Sequence, residues 1–207
     1  MMTRWLFVMA ATVALISCRI EPGENGERGG EPERQLVEAT VAMDVNRVRQ
    51  LLGSGANPNK MAAHEGHDQS PWKLALHQAR PNRPDTITIV RLMLDAHARP
   101  DIAWGEGPSV RGGYSVQSVE PLSEALSNQS PDVARALLKA GLDPATATLE
   151  LEEAVESGQE EMVHILVEAG VNVNSRPTAI TPLVAAIQTR NVALMTYLEE
   201  HGARENP

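Results

Sequence analysis

A single cysteine, Cys18, stands in 207 residues, so no disulfide can close within the chain whatever its redox compartment. Aromatic residues are scarce too, at 3%. That excludes a core built on large rings and requires small and branched side chains to pack closely, as they do in stacked short helices. Bases are outnumbered: 18 Lys and Arg against 27 Asp and Glu give a formal charge of −9. Removing residues 1–17 takes away only Arg4 among the charged groups and leaves −10. Such a chain repels a phosphate backbone and gains nothing from an anionic lipid surface, which excludes nucleic acid as a partner. A membrane-spanning segment is also missing from the N-terminus. The apolar run Trp5–Ile16 is twelve residues long, about 18 Å as a helix against a hydrocarbon core of about 30 Å.

With Arg4 ahead of it, this run reads as the hydrophobic region of a signal peptide covering residues 1–17. It ends in Leu15-Ile16-Ser17-Cys18, which resembles the bacterial lipobox. The resemblance implies a diacylglyceryl group on the Cys18 thiol, cleavage after Ser17 and acylation of the new amine. Several acyl chains anchor stably where one is marginal. The expected place is the bacterial cell envelope, facing the periplasm. Arg19 instead of Asp after the cysteine resembles an outer-membrane address more than an inner-membrane one. An ordinary secretory signal with a chance cysteine at its end is the alternative. Residues 18–33 follow as a lipidated cysteine and tether; the stretch 19–33 has four glycines, two prolines and five glutamates and cannot bury apolar surface.

From residue 34 the chain repeats itself. An apolar helical run ending at a glycine and a polar turn recurs as LLGSGANPN (51–59), MLDAHARPD (93–101), LLKAGLDPA (137–145), LVEAGVNVN (166–174) and LEEHGAREN (198–206). Gly55, Gly141, Gly170 and Gly202 share one place, with His97 substituting once. A left-handed residue there closes a helix, at some cost when it is His. Ahead of each run comes a shorter helical signal: QLVEAT (35–40), PWKLAL (71–76), PLSEAL (121–126), ELEEAV (150–155) and PLVAAI (182–187). Pro71, Pro121 and Pro182 open their helices, and Ser70 and Thr181 stand as N-caps.

The pairing resembles the ankyrin repeat, most closely at Thr181-Pro182-Leu183-Val184-Ala185-Ala186 and Gly170-Val171-Asn172-Val173-Asn174. The resemblance implies an all-α ankyrin-repeat solenoid of about five helix-turn-helix units over residues 34–207. No unit keeps the histidine of the family motif, so the hydrogen bonds it makes between loops are replaced or absent. The excess length lies at 60–69, at 80–86 and at 101–120. The last is expected as a long inserted loop or hairpin finger, with the alternating YSVQSV as a strand and Gly112-Gly113 turning the chain back. Trp104, Arg111 and Tyr114 on it are residue types that anchor interfaces. Trp104 capping an exposed helix end is the plainer alternative.

Chemistry has little support. His64, His67, Asp68 and His77 form the one metal-like grouping, at spacings that match no closed zinc pattern; solvated loop histidines are the expectation, with no metal and no cofactor. No serine elbow or phosphate-cradling loop accompanies a nucleophile, so no catalytic residue is expected and the chain is not read as an enzyme. Seven glutamates and no Lys or Arg fall from Glu150 to Glu168. Glu152, Glu153 and Glu156 share one side of a first helix, which in ankyrin arrays lines the concave face. They form either an acidic groove for a basic partner or a solvated, self-repelling face. The expected function is protein binding from a lipid anchor, foremost as an immunity protein neutralising a secreted toxin, as ankyrin-like lipoproteins paired with secreted effectors do. The alternatives are a scaffold or protector of a periplasmic enzyme, or a small-ligand or metal receptor.

Overall fold

The computed structural model of the chain describes residues 29–108 and 114–205, with the side chains of 103–119 outside that description. Five helical pairs follow in serial order: α1 (Glu31–Val41) with α2 (Val45–Gly53), α3 (Pro71–Gln78) with α4 (Pro84–Asp95), and α5 (Pro121–Ser127) with α6 (Pro131–Lys139). The last two are α7 (Thr148–Glu156) with α8 (Glu160–Glu168), and α9 (Pro182–Thr189) with α10 (Val192–Glu200). Each helix is too short to persist alone in water, so packing must hold it. The first helices pack against one another in order along the array, and α2, α4, α6 and α8 do the same in a second row. One continuous core runs between the rows, from Leu36 and Val48 through Trp72, Met93 and Leu137 to Leu166 and Leu198.

Local chemistry sets the ends of these helices. Ser70 Oγ accepts from the Lys73 amide at 3.2 Å and Thr181 Oγ1 from Val184 at 3.3 Å, as their N-cap positions require. At the far end of each pair the residue after the left-handed position donates back five residues, as in Ala56 N to Leu51 O and Ala98 N to Met93 O. Gly55 holds φ at 98° and His97 at 65°. An L-residue there costs about 1–2 kcal/mol, which His97 carries and the glycines avoid.

Two antiparallel hairpins lie between pairs. β1 (Ala62–His64) pairs with β2 (His67–Gln69), and β3 (Ala103–Pro108) with β4 (Tyr114–Val119), in register from Ala103↔Val119 to Pro108↔Tyr114. The second is the expected finger. The first replaces what the sequence suggested was only a lengthened turn at 60–69. β1 packs on α1, β3 on α3, and β2 against β3. The hairpins therefore stand along the row of first helices and wall one side of it.

The folded part begins earlier than residue 34. Glu31–Glu33 belong to α1, and the Gly29 amide donates to Met61 O at 2.6 Å. Glu33 is buried, its two oxygens accepting from Gly30 N at 2.7 Å and Asn57 N at 3.0 Å. The acidic composition that suggested tether here is a helix cap. Cys18, residues 1–17 and the rest of the expected tether up to residue 28 lie outside the described residues.

Candidate partner-binding face

The motif histidine has been replaced by residues that tie the loops in other ways. Its register is held by Val37, Lys73, Ser123, Glu152 and Val184. Ser123 Oγ donates to Glu150 Oε1 at 2.7 Å, from the third repeat to the fourth. Glu152 accepts a short hydrogen bond from Thr178 Oγ1 in the loop before α9. The polar turns are tied separately. Asn59 donates to His97 O at 2.8 Å and accepts from Arg99 N at 2.9 Å. Asn174 repeats this between the last two units, with Gly202 O at 3.0 Å and Arg204 N at 2.8 Å. Trp72 joins the second turn through Nε1 to Arg99 O at 2.8 Å.

Glu152 is therefore not a groove residue. It is 1% exposed, turned into the contact between the fourth and fifth repeats, and its Oε2 is buried without a hydrogen-bond partner. Helical spacing placed it with Glu156, but the direction of the side chain separates them. Glu153 and Glu156 are exposed, one helical turn apart on the open side of α7. Neither is paired with a cation among the described residues. Burial, and then the charges of Glu150, Glu156 and Glu152, push the Glu153 carboxyl above its ordinary value. The open side of the first-helix row continues through Glu124, whose Oε1 meets His77 Nδ1 at 2.9 Å, to Glu38, which Arg34 pairs.

The structure places Trp104 opposite Ser118 and Tyr114 opposite Pro108 on the second hairpin, while their side chains and Arg111 lie outside the described residues. Of the metal-like grouping, His64 and His67 face each other across the first hairpin, Asp68 is buried, and His77 is engaged with Glu124. Among the described residues no three His, Cys, Asp or Glu side chains converge as a metal site would need. No helix among them is long and apolar enough to cross a membrane.

Sequence reasoning missed Asn59, Asn174, Ser123 and Glu150. The asparagines had a signal, since both close a Gly-x-x-x-Asn segment in the same register. Ser123 and Glu150 had none, because their contact depends on how two repeats stack.

No family model matches this sequence, and no curated protein matches it. Among solved structures, the fold is similar to the crystal structure of the human ASB11 ankyrin repeat domain, with a TM-score of 0.56 and 23% identity over 82% of this chain and 69% of that one. Serial helical pairs, hairpins on the first-helix side and left-handed helix closures agree with that likeness: the chain has the ankyrin-repeat fold.

Proposed function

We propose that this chain is a protein-binding module held by a lipidated Cys18 in a bacterial cell envelope and facing the periplasm, where it neutralises a secreted toxin as an immunity protein. The observation that carries the binding reading is the open face of the first-helix row. It is walled by two hairpins and ends in Glu153 and Glu156, carboxyl groups that no cation among the described residues pairs. Repeat arrays present such extended faces to other proteins, and uncompensated charge steers a partner of opposite sign. The lipobox-like Leu15-Ile16-Ser17-Cys18 supports the location. An immunity role asks for that location and a tight complementary face, with no chemistry of its own.

Full-length protein, extracted with detergent from the envelope, is the reagent for the test. Wild type should capture a secreted protein with a basic surface, and the Glu153→Lys/Glu156→Lys double variant should associate at least about tenfold more slowly at low salt. An unchanged on-rate removes the acidic face from the reading. Metabolic labelling with palmitate should mark the wild type and not Cys18→Ser; equal labelling removes the anchor. Co-expression should protect cells against the captured protein, and survival without it decides against immunity.

A further inference from the structure

The fifth repeat carries the side chains of an interior repeat on a face that no repeat covers. Ile187 of α9 stands at the register of Thr40, Leu76, Leu126 and Val155, which are at most 3% exposed, yet Ile187 is 36% exposed. Met195 of α10 stands at the register of Val48, Val90, Ala134 and Val163, each fully buried, and is itself half-buried. Val184 is half-buried where Val37, at the same register, is fully buried. This is the flank that meets a following repeat, since Glu152, at the register of Val184, is closed over by Thr178 ahead of α9. On α10 Tyr197 turns back to stack on His164 of α8, with ring centroids 4.0 Å apart. Val192, Met195 and Glu199 run along the opposite flank at helical spacing. Among the described residues no further repeat follows. The other end of the array is built differently. Gln35 donates to Glu31 at 2.8 Å, and Arg47 donates to Gln35 at 2.6 Å and to Gln50 at 2.8 Å. Gln35 has the register of Glu150 and Gln50 that of Tyr197, residues that face the preceding repeat. The first repeat thus ends in the polar cap that an array needs in water, and the fifth does not.

We propose that the uncovered end of the fifth repeat docks on the same end of a second copy of this chain, about a two-fold axis. Head-to-tail stacking would set Ile187 and Met195 against polar groups already engaged with one another and strip those groups of water. Pairing like ends sets apolar flank on apolar flank and closes after two copies. Charge fixes the sense of the pair. With α10 antiparallel to its counterpart and Met195 at the axis, Arg190 comes opposite Glu199 and Glu200 of the second copy. All three are exposed, and none has a salt bridge within its own copy among the described residues. The two-fold makes this match twice, once at each end of the helix pair. The contact leaves the first-helix face and both hairpins open, so it stands apart from what that face binds.

Sedimentation equilibrium of full-length protein in density-matched detergent tests the pairing. Wild type should pass from monomer to dimer as its concentration rises. Arg190→Glu and Glu199→Arg, at exposed positions outside the core, should each weaken the dimer about tenfold, and the variant carrying both should recover it. In a Cys18→Ser background, where an introduced thiol is the only one, Met195→Cys should oxidise to a disulfide-linked dimer. Gln35→Cys should stay uncrosslinked, alone or mixed with Met195→Cys. A monomer at every concentration, or a dimer indifferent to both charge variants, overturns the proposal. A mixed Gln35→Cys/Met195→Cys disulfide would mean head-to-tail stacking and overturn it too. So would methyl NMR shifts at Ile187 and Met195 that arise with added envelope extract and not with concentration, because another protein then covers the face.

Discussion

Replacing Glu152 with leucine should make the protein more stable. The carboxyl is 1% exposed, pairs with no cation among the described residues, and keeps one oxygen buried without a donor. Relieving a buried orphan acceptor recovers about 1–3 kcal/mol, and losing the Thr178 hydrogen bond costs about 1 kcal/mol. Thr178 is itself exposed, so its hydroxyl returns to water without becoming an orphan. Leucine has similar volume, and Val37 and Val184 show the same register filled by aliphatic side chains in the first and fifth repeats. The net expectation is a gain of about 1 kcal/mol, or about 2–4 °C in Tm for an array of this length. Guanidinium unfolding followed by far-UV circular dichroism measures it. Thr178→Val supplies the second arm: a loss of about 1 kcal/mol in wild type and none in the Glu152→Leu background. A loss of stability in Glu152→Leu, or additive effects of the two substitutions, would refute the reasoning and mean that the carboxyl is fully satisfied in solution.

Three further substitutions probe separate parts of the array. Asn174→Ala removes the bonds to Gly202 O and Arg204 N and should cost about 1–2 kcal/mol, with faster amide exchange at Arg204 than at Ala56 in the first repeat. Gln129 holds φ at 52° in the turn between α5 and α6, where Gly158 occupies the matching place between α7 and α8, so Gln129→Gly should stabilise by about 0.5–1 kcal/mol in the same unfolding assay. Glu153 has its folded carboxyl above the reference value of 4.5. For a raised acid the ionised form is the disfavoured one in the fold, so its penalty is present at neutral pH and relieved as pH falls through the folded value. Glu153→Gln should therefore be slightly more stable than wild type at pH 7 and equal to it below pH 4.5, a difference that unfolding curves across that interval resolve.

Periodic features were the legible ones. The five helix closures, including His97 at a glycine's place, follow from one repeated segment, and the prolines with Ser70 and Thr181 mark helix starts by chemistry that acts within a few residues. The alternating YSVQSV is a strand, as its period demands. What the sequence could not convey depends on direction and stacking. Glu152 and Glu156 share a helical side by spacing, yet Thr178 and the fifth repeat close over the first and leave the second open. Glu31–Glu33 had the composition of a tether, but a glutamate two residues into a helix is also a cap, and only the positions of Gly30 and Asn57 decide between them. The short hairpin at 62–69 was hidden because three-residue strands have too few positions to display an alternation.

Ion pairs bridge successive repeats along both rows and give out toward the last two repeats. Along the second row the charges meet across repeats: Arg91 of α4 with Asp132 of α6 at 3.4 Å, then Arg135 of α6 with Glu161 of α8 at 2.8 Å. Exposed pairs of this kind add little to stability, and the exposed Glu160, Glu168, Glu199 and Glu200 at the far end of that row have no Lys or Arg on α8 or α10. The first row starts in the same manner, with Arg34 between Glu31 and Glu38 and His77 against Glu124. The pattern stops at α7, whose exposed Glu153 and Glu156 find no Lys or Arg on α5 or α9. A purely structural surface would gain by placing one arginine at Ser127 or Gln188, the exposed positions flanking Glu156 in the neighbouring repeats. Ser127→Arg and Gln188→Arg should each leave unfolding unchanged within about 0.5 kcal/mol while weakening partner capture, because the charge they offset is needed across the interface and not within the fold. A variant that captures its partner as well as wild type would show that the acidic end of the row is solvated surface and nothing more.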